Sequence, residues 1–231
     1  MSRRVPEFAV VTGVFLGLSA LVSGVALGWG LYATVVVAAG VAYPFVAFGI
    51  LRDDDPAATI RPRPVLALGL AVAAAGAVGV LLDDPTPRGA LFALLIAALL
   101  AAPPAGYATR YGADVNPLSP TATVFAGGTV GTALVVAGLA IGAPYVGTAV
   151  GIAAGLGAAL YGTARGVAFA ARTKRRAAAG GALLGLGIVA AGVARGGPLT
   201  DWLLVGTAIA LVPSLYAALT RESDGRSVRS R

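Results

Sequence analysis

Eight stretches of this chain, 8–28, 31–51, 64–82, 90–108, 121–142, 145–165, 178–194 and 200–219, hold one acidic and one basic residue between them. Those two, Asp201 and Arg165, both stand at span ends. An α-helix rises about 1.5 Å per residue, so roughly twenty apolar residues cross a hydrocarbon core of about 30 Å. Lipid offers no partner for backbone N–H and C=O groups, so such segments must bond internally, as helices. The expected fold is all-α, a polytopic transmembrane helical bundle of eight spans. Composition agrees: of 231 residues 58% are hydrophobic and 12% charged, against about 25% charged in a soluble domain. Too little polar surface exists for a water-soluble fold, and too little charge for a disordered chain.

The expected organisation is a short cytoplasmic N-terminus at 1–7, a single transmembrane bundle over 8–219, and a disordered basic tail at 220–231. Span 178–194 is the shortest and richest in glycine. A six-span reading would drop it with a neighbour, but would leave Asp201 or the 172–176 cluster badly placed. The apolar run after Arg3-Arg4 is longer than the roughly 7–15 residues of a signal-peptide core, so it reads as a retained first helix. Breaks between spans carry turn and helix-stop chemistry: Gly28-Trp29-Gly30, Asp83-Asp84-Pro85-Thr86-Pro87, Gly142-Ala143-Pro144 and Gly196-Gly197-Pro198.

Charge orients the spans. With eight crossings, one side holds Arg3, Arg4, Arg52, Arg61, Arg63, Arg110, Arg172, Lys174, Arg175, Arg176, Arg221, Arg226, Arg229 and Arg231. The other holds Arg88 and Arg195. By the positive-inside rule this puts both termini in the cytoplasm of a multi-pass cell-membrane protein. The net charge of +7 is then a topology signal, and no basic groove with interleaved aromatics points to nucleic acid. The basic loop 164–176, with Arg165, Arg172, Lys174, Arg175 and Arg176, either contacts anionic lipid or is ordinary positive-inside charge.

Odd-numbered spans begin near residues 8, 64, 121 and 178, a spacing of about 57. Short outer loops alternate with longer basic inner ones, so the spans read as four helical hairpins and a parallel internal repeat. The even spans end alike, in Tyr43-Pro44-Phe45 with Phe48, Pro104 with Tyr107, Ala158 with Tyr161, and Pro213 with Tyr216, each followed by arginine. The competing reading is that an Ala/Gly/Val/Leu chain resembles itself by chance. Pairs such as Gly13/Gly17, Gly24/Gly28, Gly127/Gly131, Gly151/Gly155 and Gly181/Gly185 have helix-contact spacing.

Chemistry is scarce. The absence of Cys and His excludes thiol, imidazole and Cys/His–zinc chemistry. No ionisable residue sits at mid-membrane, as proton relays and coupled-ion sites require. No catalytic residue, cofactor site or metal site is expected. Asp83 and Asp84 are placed to touch a divalent cation, but a solvated loop needs no such role. The leading reading is a non-enzymatic structural, accessory or assembly component, with the bilayer and a membrane-protein partner or second copy as its contacts. The alternative is a permease for a small neutral or lipophilic solute, its pathway lined by Tyr43, Pro44, Pro104, Tyr107, Tyr161, Pro213 and Tyr216. A proline there frees the carbonyl one turn earlier, which a pathway can use and a plain kink can also explain. A membrane-embedded lipid-modifying enzyme is the third reading, and no motif supports it.

Overall fold

A computed structural model describes residues 4–52, 56–112, 115–167, 169–196 and 199–219, leaving aside the side chains of residues 4–6, 59, 212 and 215–219. The tail at 220–231 and the Tyr216 side chain therefore lie outside the described residues. Within them every regular element is a helix: α1 Arg4–Ala26, α2 Leu31–Arg52, α3 Pro56–Thr59, α4 Pro62–Asp83, α5 Pro87–Tyr111, α6 Pro120–Ala140, α7 Pro144–Ala164, α8 Ala171–Arg195 and α9 Leu199–Leu219. Seven of them, α1, α2 and α4 to α8, are long and apolar enough to cross a membrane, and α9 adds the apolar stretch Leu199–Leu211. These helices make the chain a membrane protein.

Helix boundaries follow local chemistry. Prolines 62, 87, 120 and 144 open α4, α5, α6 and α7, where their missing N–H costs nothing. Thr86 and Ser119 cap α5 and α6, their hydroxyls accepting from the backbone of Gly89 and Ala122, each at 3.2 Å. Three hairpin turns reverse at glycines in the left-handed region, Gly28, Gly142 and Gly196, with φ of 69°, 73° and 67°. Two boundaries depart from the sequence reading. Helix α8 begins at Ala171, so Arg172, Lys174, Arg175 and Arg176 lie in its first turns and not in a loop. Helix α5 runs through Pro103 and Pro104, as span 90–108 expects, but ends later, at Tyr111, and the connection after α2 contains α3.

The helices pair as α1 with α2, α4 with α5, α6 with α7 and α8 with α9, the four expected hairpins. They group into two compact units, Met1–Pro117 and Leu118–Arg231. In the first unit α2 packs against α4, around Val35 and Ala39 of α2, Ala73 and Val80 of α4, and Ala93, Ile96 and Leu100 of α5. In the second, α7 packs against α9, and α6 touches α9 as well.

Packing is inverted relative to a soluble protein. Large apolar side chains face outward, among them Phe8 at 73% and Leu51 at 79% exposure, while glycine and alanine dominate the contacts. Lipid tails are as apolar as leucine, so burying leucine between helices gains little. Close backbone approach gains dispersion contacts instead.

Candidate functional site

The hairpin seams repeat one pattern. In α1, α6 and α8 the contact positions are Gly13, Gly17 and Gly24; Gly127, Gly131 and Gly138; and Gly181, Gly185 and Gly192, spaced by four and then seven residues. In α4 the same spacing gives Gly69, Ala73 and Val80, all buried. Opposite the first position stand Phe45, Pro104, Ala158 and Pro213. Opposite the last glycine of α1, α6 and α8 stand Thr34, Gly147 and Trp202. The sequence carried this signal, but Pro44 drew attention one residue away from the contact, which Phe45 makes.

Proline and glycine fit together at two of these positions. The Pro104 ring occupies the notch left by Gly69, and the Pro213 ring the notch left by Gly181. Lacking an N–H, each proline orphans the carbonyl four residues earlier. For Pro104 that is Leu100, whose carbonyl accepts from the Tyr43 hydroxyl at 2.8 Å. For Pro213 it is Ile209, whose carbonyl lies 3.0 Å from where a β-carbon on Gly181 would stand, so only a glycine admits it so closely.

The remaining pathway candidates are also placed. Tyr107 is buried, and its hydroxyl donates to the carbonyls of Pro56 and Ile60 at 3.0 and 2.6 Å, tying the α3 loop to α5. Tyr161 lies under the Arg165 guanidinium, 5.8 Å from ring centroid to charge, and Arg52 covers Phe48 at 5.2 Å in the same way. In the α5 hairpin Arg110 sits over Tyr111 and not Tyr107. Pro44 is exposed on α2. Tyr43, Pro44, Pro104 and Tyr107 belong to the first unit, and Tyr161, Pro213 and Tyr216 to the second.

In the turn of the second hairpin, Asp84 accepts from the Thr86 hydroxyl at 2.6 Å and from its N–H at 3.1 Å. Those bonds, with the Arg88 charge, hold its carboxyl below the usual carboxylate range. Asp83 stands beside Gly30 of the neighbouring turn. Among the described residues no three acidic side chains gather as a metal site would need.

The second unit carries an open groove of about 960 Å³, lined by α6, α7, α8 and α9. Its surface is mostly apolar; Thr129, Thr132, Thr173 and Lys174 supply its polar side chains. Of the seven pathway candidates, Pro213 lines it. Thr132 donates internally to the Gly128 carbonyl at 2.9 Å. Comparison with protein families, with curated proteins and with solved structures finds no match to this chain.

Proposed function

We propose that this chain is a non-catalytic, multi-pass component of the cell membrane, structural, accessory or assembly in role, with both termini cytoplasmic and four copies of one hairpin as its framework. The observation that carries this reading is how the candidate pathway groups are used. The Tyr43 and Tyr107 hydroxyls bond to backbone carbonyls, one of them the carbonyl that Pro104 frees, so both serve helix packing. The recurring small-residue seam supports the hairpin duplication, because four hairpins place contacts at matching positions. Such seams leave the large outward side chains available to lipid or a partner.

Affinity purification of the full chain in mild detergent tests the role. A partner membrane protein in fixed stoichiometry, or a homo-oligomer of one size, is the expected result; a lone monomer in every preparation overturns it. A reporter fused after Arg231 should read cytoplasmic, and an outside reading overturns the orientation. One observation favours the permease reading: Pro213, Thr129 and Thr132 line the groove of the second unit. That reading expects solute flux into proteoliposomes that changes when Pro213 is replaced by Ala.

A further inference from the structure

We propose that the groove of the second unit binds one anionic phospholipid, an acyl chain lying between α6 and α8 and the phosphate meeting Lys174. Three observations converge. The first is size and lining. At about 960 Å³ the groove reaches the upper end of the roughly 300–1,000 Å³ of small-molecule sites, and its apolar walls suit a hydrocarbon chain.

The second is length. The α8 wall runs from Thr173 to Leu184, about 17 Å at helical rise, close to half of a hydrocarbon core of about 30 Å. A chain seated there spans one leaflet, with its head at the N-terminal end of α8.

The third is charge. At that end Lys174 lines the groove and is 8% exposed. Arg172, Arg175 and Arg176 share its helix turns, and Arg165 ends α7. The acidic side chain of this unit among the described residues is Asp201, at the opposite end of the helices in the first turn of α9. Segment 165–176 supplies five cations and no acid, and an anionic head complements it where a zwitterionic one does not. Phe125 and Phe169, edge to face at 5.9 Å, both line the groove and place an aromatic pair beside Lys174's wall.

Glycines make the idea testable without disturbing the fold. A β-carbon on Gly128 meets nothing within 4 Å, and Gly128 lines the groove, so Gly128→Phe starts from open space and projects bulk into it. Gly157 is equally open and is not part of the lining, so Gly157→Phe is the matched control. The full chain, purified and exchanged into mixed micelles of phosphatidylglycerol and phosphatidylcholine, is read by native mass spectrometry. Wild type should retain one phosphatidylglycerol, preferred about fivefold or more per engaged cation. Lys174→Gln should remove most of the preference, Lys174→Arg keep it, Gly128→Phe lose the retained lipid and Gly157→Phe keep it. Soluble glycerophosphate in excess should not displace the lipid. Equal retention of both lipids by wild type overturns the proposal, as does undiminished retention by Gly128→Phe. Displacement by glycerophosphate alone would assign the site to a free phosphate and overturn it too. Should Lys174→Gln fail to fold, the wild-type headgroup preference and the Gly128→Phe and Gly157→Phe pair still decide.

Discussion

Gly131→Ala and Gly128→Ala insert the same methyl three residues apart on α6, and the structure assigns them opposite signs. A β-carbon on Gly131 would stand 2.6 Å from the Gly151 carbonyl oxygen and 3.3 Å from the Gly155 nitrogen. Ordinary contact begins at 3.4 Å, so α6 and α7 must part by about 0.8 Å. The obstacle is backbone, which cannot swing aside as a side-chain tip can. A gap of roughly 0.5–1 Å forfeits a quarter to a half of each dispersion contact across the seam. Overpacking of this kind costs about 1–3 kcal/mol, offset by up to about 1 kcal/mol from exchanging glycine for alanine in a helix. The net expectation for Gly131→Ala is a loss of about 1 kcal/mol, reaching about 2 kcal/mol if the seam yields little. Gly128, where a β-carbon meets nothing within 4 Å, keeps only the favourable term and should gain about 0.5–1 kcal/mol. Unfolding by dodecyl sulfate in mixed micelles, followed by far-ultraviolet circular dichroism, measures both. Equal shifts for the two variants, or a Gly131→Ala protein as stable as wild type, would refute the assigned seam.

Three further outcomes are expected. Tyr43→Phe removes the donor to the Leu100 carbonyl that Pro104 orphans, and should cost about 1–3 kcal/mol in the same unfolding assay. In a Pro104→Ala background, where residue 104 regains an N–H, that cost should shrink; an unchanged cost would show that the two groups act separately. Thr34 is 2% exposed and its hydroxyl has no partner, so Thr34→Val, equal in shape, should leave stability unchanged or raise it by about 1 kcal/mol, and a clear loss would reveal a missed bond. The Asp84–Thr86 cap should respond to acid with a definite sign. Because the folded carboxyl titrates below its unfolded value, the cap's contribution is complete above the ordinary carboxylate range and is lost as pH falls through the lower folded value. Thr86 and Gly89 amide resonances in micelles should report that step, and Asp84→Asn should abolish it; titration at or above the ordinary carboxylate value would contradict the assignment.

The site was less legible than the fold. Tyr43, Pro104 and Tyr107 stood out in the sequence as candidate pathway groups because proline and tyrosine are sparse within the apolar spans. What they do depended on the element packed opposite. Nothing near Tyr43 indicates that its hydroxyl reaches Leu100, 57 residues away. Arg172 to Arg176 looked like a loop because charge interrupts the apolar run, yet the backbone there is already helical in α8. Once a helix is nucleated, extending it by a turn or two into the interface costs little, and arginine and lysine are good helix formers.

By itself the sequence determined the helices, seven of the eight expected spans being long and apolar enough to cross a membrane, with their hairpin pairing and the chemistry of their ends. The reason is local: a backbone in lipid must satisfy its hydrogen bonds within its own segment, and proline, glycine and charge mark where that segment stops. Tertiary structure alone decided which residues meet across each seam. A helix apolar all round has no amphipathic stripe to mark its inward face. Gly127 stands four residues from Gly131 and Gly128 does not share that spacing, but nothing in the sequence says that one closes on Ala158 and the other opens onto the groove. That difference rests on the rotation of α6 about its axis, and only the packing of α7 and α9 against it sets that rotation.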